Sequence, residues 1–142
     1  MSTETNKATV RRMVEQVYNA RQLDLIGEFF TEDFVSHNIG APPINGLEEL
    51  RAGIATALDA YPDFKLSLDD VIAEGDKVAA RWTSRGTHQG ELLGVSATGK
   101  LITQEGMVFY RMVNAQIAEV WFHPDSLGMM QQLGIVPAPA EA

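Results

Sequence analysis

Phe64-Lys65-Leu66-Ser67-Leu68-Asp69-Asp70-Val71-Ile72-Ala73-Glu74-Gly75-Asp76-Lys77-Val78-Ala79-Ala80-Arg81-Trp82-Thr83 is the stretch in which the hydrophobic period of the chain changes. Phe64, Leu66 and Leu68 alternate with Lys65, Ser67 and Asp69, the two-residue period of a strand with one buried face. Asp69-Asp70 breaks the alternation before Val71 and Ile72, which predicts an irregularity there. Gly75-Asp76 stands where a tight hairpin turn belongs, and the return strand puts Val78, Ala80 and Trp82 on one face and Ala79, Arg81 and Thr83 on the other. Downstream, Gly86 to Lys100 reads as a long loop, followed by a strand over Leu101–Val113, a turn at Asn114-Ala115, a strand over Ile117–His123 and a brief helix over Asp125–Leu133.

Upstream of Phe64 the period is helical. Val10, Met13, Val14, Val17 and Tyr18 mark one face of a helix between Asn6 and Arg21. Leu23 to Phe30 reads as a second helix of two turns, and Phe34 to His37 as a short extended piece. Two glycines and Pro42-Pro43 make Asn38 to Gly46 a loop. Asn45 with Glu48 resembles a capping box, opening a third helix with Leu47, Leu50, Ile54, Leu58 and Tyr61 on one face, which Pro62 stops. Helices first and then long strands joined by short turns is the order of an α+β domain: helices packed on one face of a curved, antiparallel or mixed sheet. No repeat and no linker divides it, so residues 1–142 are expected to form one domain, with 135–142 a flexible tail.

Composition narrows the chemistry. The 142 residues carry 11 Lys and Arg against 19 Asp and Glu, a net charge of −8, which disfavours nucleic acid and anionic lipid as partners. The absence of cysteine excludes disulfides, thiolate metal sites and a Cys nucleophile. No apolar run approaches the roughly 20 residues of a membrane span, and the N-terminus is polar and acidic, so a cytoplasmic protein is expected. The three histidines, His37, His88 and His123, lie at no metal-ligand spacing, and no phosphate-binding or dinucleotide-binding glycine loop occurs. Neither a metal nor a cofactor is expected.

The densest chemical cluster is Trp121-Phe122-His123-Pro124-Asp125. A carboxylate buried after two aromatics and a His would have its pKa raised toward the range useful for proton transfer. The plainer reading makes Asp125 the N-terminal residue of the last helix, favouring its dipole. His88 shares the parity of Val78, Ala80 and Trp82 and is expected on their side of the sheet. Arg81 and Arg85 have the opposite parity, and Tyr18 is most simply core.

In order along the chain stand Phe34 to His37, Tyr61-Pro62-Asp63-Phe64, Glu74-Gly75-Asp76-Lys77-Val78, Arg81-Trp82 and Gly86-Thr87-His88-Gln89-Gly90-Glu91. Gly94, Thr98-Gly99-Lys100, Glu119-Val120-Trp121, Asp125 and Gln132-Leu133-Gly134 complete the set. In this ordered set the chain resembles the SnoaL-like polyketide cyclases, within the cone-shaped, cystatin-like α+β folds that include nuclear transport factor 2 and ketosteroid isomerase. The resemblance implies a cofactor-free fold with a cavity between sheet and helices, in which an acidic residue after the Trp of the last strand is general acid/base in an intramolecular aldol condensation. Asp125 matches that residue, with His123 and His88 as its assistants. Tyr18, His37, Trp82, Tyr110 and Trp121 are the substrate-binding candidates. Characterised cyclases also place a His on the penultimate strand; here none occurs between His88 and His123, leaving Tyr110, Arg111 or Gln104 for its oxyanion-stabilising role. The implied ligand is small and hydrophobic or polyketide-like, and self-association as a dimer or tetramer is expected. Two other readings are an epoxide-hydrolase-like enzyme using Arg81 or Arg111 with Asp125, and a non-catalytic binding or dimerisation module.

Overall fold

The structure, a computed structural model, describes residues 2–139. Helix α1, Thr3–Met13, opens with the hydroxyl of Ser2 accepting the N–H of Thr5 and buries Val10 and Met13. The single long helix expected to Arg21 is not formed as such, because Val14–Asn19 is a π-helical turn. The wider turn re-aims the side chains after it. Asn19 then donates its Nδ2 to the carbonyl of Leu66 and accepts the N–H of Leu66 on Oδ1, at 2.9 and 2.8 Å. The second predicted helix is a 3-10 turn, Leu23–Leu25, running into the short α2, Ile26–Phe29.

Strand β1, Phe30–Asn38, is longer than the piece expected around Phe34, with Phe30 and Phe34 in edge-on contact at 4.9 Å. After β2, Ile44–Asn45, helix α3 covers Gly46–Ala60. The expected capping box is displaced by one residue: the Asn45 N–H donates to Glu49, not Glu48, and the Asn45 side chain makes no capping bond. The remaining elements are β3, Lys65–Glu74, β4, Lys77–Thr87, β5, Leu101–Val113, β6, Gln116–Pro124, and α4, Ser126–Leu133.

All six strands form one curved, open sheet in the order β2-β1-β6-β5-β4-β3. It is mixed: β1 runs parallel to β6, and the other pairs are antiparallel. The irregularity read at Asp69 is present between Leu68 and Asp70, and Gly75-Asp76 forms the two-residue hairpin between paired Glu74 and Lys77. The inner face of the sheet carries Val78, Ala80, Trp82, Val108, Tyr110 and Val120 against Val10, Val14 and Val17 of the helical layer. At the end of α4, Gly134 adopts φ +82°, and the N–H groups of Ile135 and Val136 return to the carbonyl of Met130. The first two residues of the expected tail are thus hydrogen-bonded to the helix, and 140–142 lie outside the described residues. Among those residues no helix is long and apolar enough to cross a membrane.

Candidate functional site

Strand register decides which side chains face the interior. Trp82 pairs with Gly106, Ser84 with Gln104 and Gly86 with Ile102, three successive inner-face rows across β4 and β5. Both glycines seat an aromatic ring. A Cβ on Gly86 would lie 2.6 Å from the Cβ of Tyr61, and one on Gly106 would lie 2.5 Å from Cζ2 of Trp82. Trp82 therefore lies flat over β5 and stacks on Phe122 at 5.3 Å with 10° between the rings. Between these features, α3 and α4 lies a cavity of about 250 Å³, lined mainly by apolar side chains, among them Phe64, Leu92, Ile102, Phe122 and Met129. Ser84, Gln104 and Ser126 are the polar exceptions that sequence reading did not assemble; their signal was the alternation through Val78, Ala80 and Trp82, which continues to Ser84.

Asp125 falls in the chain between two lining residues, Pro124 and Ser126, and is not itself part of the lining. Its carboxylate is exposed and accepts the N–H of Gly128 at 2.9 Å, capping α4. The burial on which its acid/base assignment leaned is therefore absent here, and the helix-capping geometry is present. Its backbone N–H donates to the carbonyl of Glu105 at 2.8 Å. Seven residues on, Gln132 pairs with both backbone atoms of Thr103, donating to its carbonyl at 2.7 Å and accepting its N–H at 2.9 Å. Helix α4 is thus moored to β5 on either side of Gln104.

The histidines do not converge. His88 is fully buried on the side its parity predicts, its ring 6.0 Å from that of Tyr61. Its Nδ1 accepts the N–H of Thr98 at 3.2 Å, which puts the proton of the neutral ring on Nε2, an atom without a partner among the described residues. His123 pairs with Met107, Trp121 with Phe109 and His37 with Trp121, and these residues occupy the outer face of the sheet, opposite the cavity. The reason is the two-residue period: Phe122 and Pro124 point inward, so His123 and Trp121 point outward. His37 stacks on Trp121 at 5.6 Å and donates to Glu119 at 2.6 Å, while Arg111 holds the other carboxylate oxygen at 3.0 Å. Those two hydrogen bonds hold Glu119 below the usual carboxylate range.

Trp82 and Tyr110 lie on the inner face within the core, and Tyr18 packs against that core and against Phe64 at 6.2 Å. Burial pushes the Tyr18 phenol up to about 12 and raises Tyr110 further, with Tyr18 adding to the effect. Burial also raises the phenol of Tyr61, a cavity residue the sequence did not single out as a site. Arg81 pairs with Asp70 and Arg111 with Glu119, so neither guanidinium joins Asp125, and the hydrolase arrangement is not assembled. No group of three or more His, Cys, Asp or Glu suited to a metal occurs among the described residues.

The model of the SnoaL-like polyketide cyclase family matches residues 8–133. The chain belongs to that family. Aklanonic acid methyl ester cyclase DnrD of Streptomyces peucetius is 32% identical over 141 residues, covering 94% of this chain and 92% of the relative. DauD of Streptomyces sp. strain C5, of the same description, is 32% identical over 132 residues, covering 88% and 79%. Among solved structures, TsrD of Streptomyces laurentii superposes with a TM-score of 0.85 at 25% identity over 96% of this chain and 99% of its own. A SnoaL-like polyketide cyclase of Agrobacterium tumefaciens gives 0.74 at 22% identity over 94% and 100%. As a SnoaL-like protein the chain has a cyclase-type function, and its cavity lies between sheet and helices as the resemblance implied.

Proposed function

We propose that this protein closes a ring in a small polyketide-like carbonyl compound by intramolecular carbon–carbon bond formation, with Asp125 as general acid/base. The observation that carries the reading is the position of Asp125 between two residues that line an otherwise apolar cavity, in a chain similar to aklanonic acid methyl ester cyclases. In the forward step the carboxylate takes a proton from a carbon next to a carbonyl. The resulting enolate carbon attacks a second carbonyl of the same molecule, and the new alkoxide recovers the proton from Asp125. Protons balance over the cycle, and the step as written needs no cofactor. Polar groups in the cavity wall favour chemistry or oriented binding over an inert apolar module. Aklanonic acid methyl ester is the first substrate to offer. Asp125→Asn keeps a capping side chain and should lower turnover by about 100-fold or more; unchanged turnover rejects the assignment.

We further infer self-association through the outer sheet face, where Ile72 and Ala79 share a register row with Phe109 and Trp121. Ile72 and Phe109 are 69% and 52% exposed, an apolar stripe that a second copy of the same face would cover. Sedimentation should show a dimer or tetramer that Phe109→Lys dissociates; a monomeric parent protein refutes this. A cytoplasmic site of action belongs to the same proposal, and cell fractionation tests it.

A further inference from the structure

Ser84 and Gln104 are the polar register pair in the cavity wall, and their setting is unlike that of any other row. On one side Tyr61 lies over Gly86; on the other Trp82 lies over Gly106. The pair therefore forms the floor of a trough between two rings held flat by glycines. Ser84 is only 6% exposed, yet neither its hydroxyl nor the Gln104 amide makes a hydrogen bond to another described residue. Both side chains line the cavity, so their hydrogens are free to be given to a molecule that enters it.

The same row is where α4 is fastened. Gln132 holds Thr103 and the Asp125 N–H holds Glu105, the residues immediately before and after Gln104. The start of α4, with Asp125, is thus fixed against the one stretch of β5 that offers an amide to the cavity. Of the three side chains that could stand in for a penultimate-strand His, Arg111 is on the outer face with Glu119, and Tyr110 is packed in the core three inner-face rows away. Gln104 is the one that lines the cavity.

We propose that Ser84 Oγ–H and Gln104 Nε2–H together bind a carbonyl oxygen of the ligand, and carry the negative charge of that oxygen when the adjacent carbon is deprotonated. The assignment of the charge rests on the cyclase reading; the carbonyl recognition does not. Two donors that share one oxygen in a mostly apolar wall discriminate against a ligand that lacks the oxygen, and stabilise an enolate more than its parent ketone.

The test compares fluorenone with fluorene, two flat three-ring molecules that differ by one carbonyl, using quenching of the tryptophan emission. The parent protein should bind fluorenone about tenfold more tightly than fluorene. Gln104→Leu and Ser84→Ala should each remove most of that preference while leaving fluorene affinity within about twofold. Ser84→Ala is the smaller change and serves if Gln104→Leu fails to fold. Absence of the preference in the parent protein, or its survival in both variants, overturns the proposal. The outcomes also separate the two readings. Carbonyl preference that depends on Gln104, with turnover untouched by Asp125→Asn, keeps the donor pair and rejects the general base. Turnover lost in Asp125→Asn with preference intact in both Gln104→Leu and Ser84→Ala does the reverse.

Discussion

Asp125 caps α4 through Gly128, and its carboxylate occupies the space that a Cβ at position 128 would take, within van der Waals contact of both the carboxyl carbon and Oδ2. The carboxylate proposed for proton transfer is therefore held by the N–H of a residue that leaves it this position by having no side chain. Gly128→Ala should push the carboxylate off the helix end. The lost cap, worth about 1 kcal/mol, is offset by the better helix propensity of Ala. The melting temperature should change little while kcat falls, since misplacing a reacting group by about 1 Å can cost about 100-fold. Asp125→Ala should lose turnover and, through the cap alone, roughly 3 °C of melting temperature. Calorimetry beside steady-state kinetics separates the two effects.

Gly106→Ala tests the seating of Trp82. The added methyl would meet the indole and also the backbone carbonyl of His123, at 2.5 and 2.7 Å. The ring must lift from β5 and lose its stack on Phe122. Overpacking of this kind costs about 1–3 kcal/mol. A chemical-denaturation midpoint should fall accordingly, with a shifted tryptophan emission; an unchanged spectrum would show that the ring was not seated there.

The buried phenols set the alkaline limit. Tyr18 is raised from an ordinary value of 10.0 to about 12, so the unfolded chain ionises before the folded one. Its contribution to stability is complete below pH 10, declines above it and is gone once the pH has passed about 12. Stability of the parent protein should fall more steeply than that of Tyr18→Phe across this interval. Ultraviolet difference absorbance should show no tyrosine of the folded protein ionising at the ordinary value, because Tyr61 and Tyr110 are raised as well.

Glu119 acts at the acid limit with the opposite sign. Its hydrogen bonds to His37 and Arg111 lower it from 4.5, so it stabilises the fold above that value and ceases to do so as the pH drops through its lowered folded value. The difference in melting temperature between parent and Glu119→Gln should be present at neutral pH and vanish in acid. A difference that persisted unchanged at the lowest pH would mean that the pairing contributes nothing through charge.

How far the residues announced all this depends on the kind of information each feature needs. The hairpin at Gly75-Asp76, the irregularity at Asp69 and the inward His88 follow from local alternation and turn chemistry, which sequence carries directly. The π turn at Val14–Asn19 does not, because its six residues read as a continuation of the same amphipathic face until Asn19 finds Leu66 across the fold. The outward placement of His123 was available from parity with Phe122, yet the cluster Trp121 to Asp125 invites reading as a unit although its members alternate between faces. Tyr61, Ser84 and Gln104 became neighbours only through pairing across strands and the two glycines beneath the rings.

The bond pair between Asn19 and Leu66 bears on solubility. With its amide group Asn19 imitates the backbone of a neighbouring strand, taking both main-chain positions of one rung on β3, an outermost strand of the sheet. At the opposite margin β2 is only two residues long, Ile44–Asn45. At Leu66 the edge of β3 is therefore closed to another chain, whose addition there would be the usual starting point for runaway strand pairing. A strand arriving at that end of the sheet would first have to displace the Asn19 amide, so edge pairing starts there at a disadvantage.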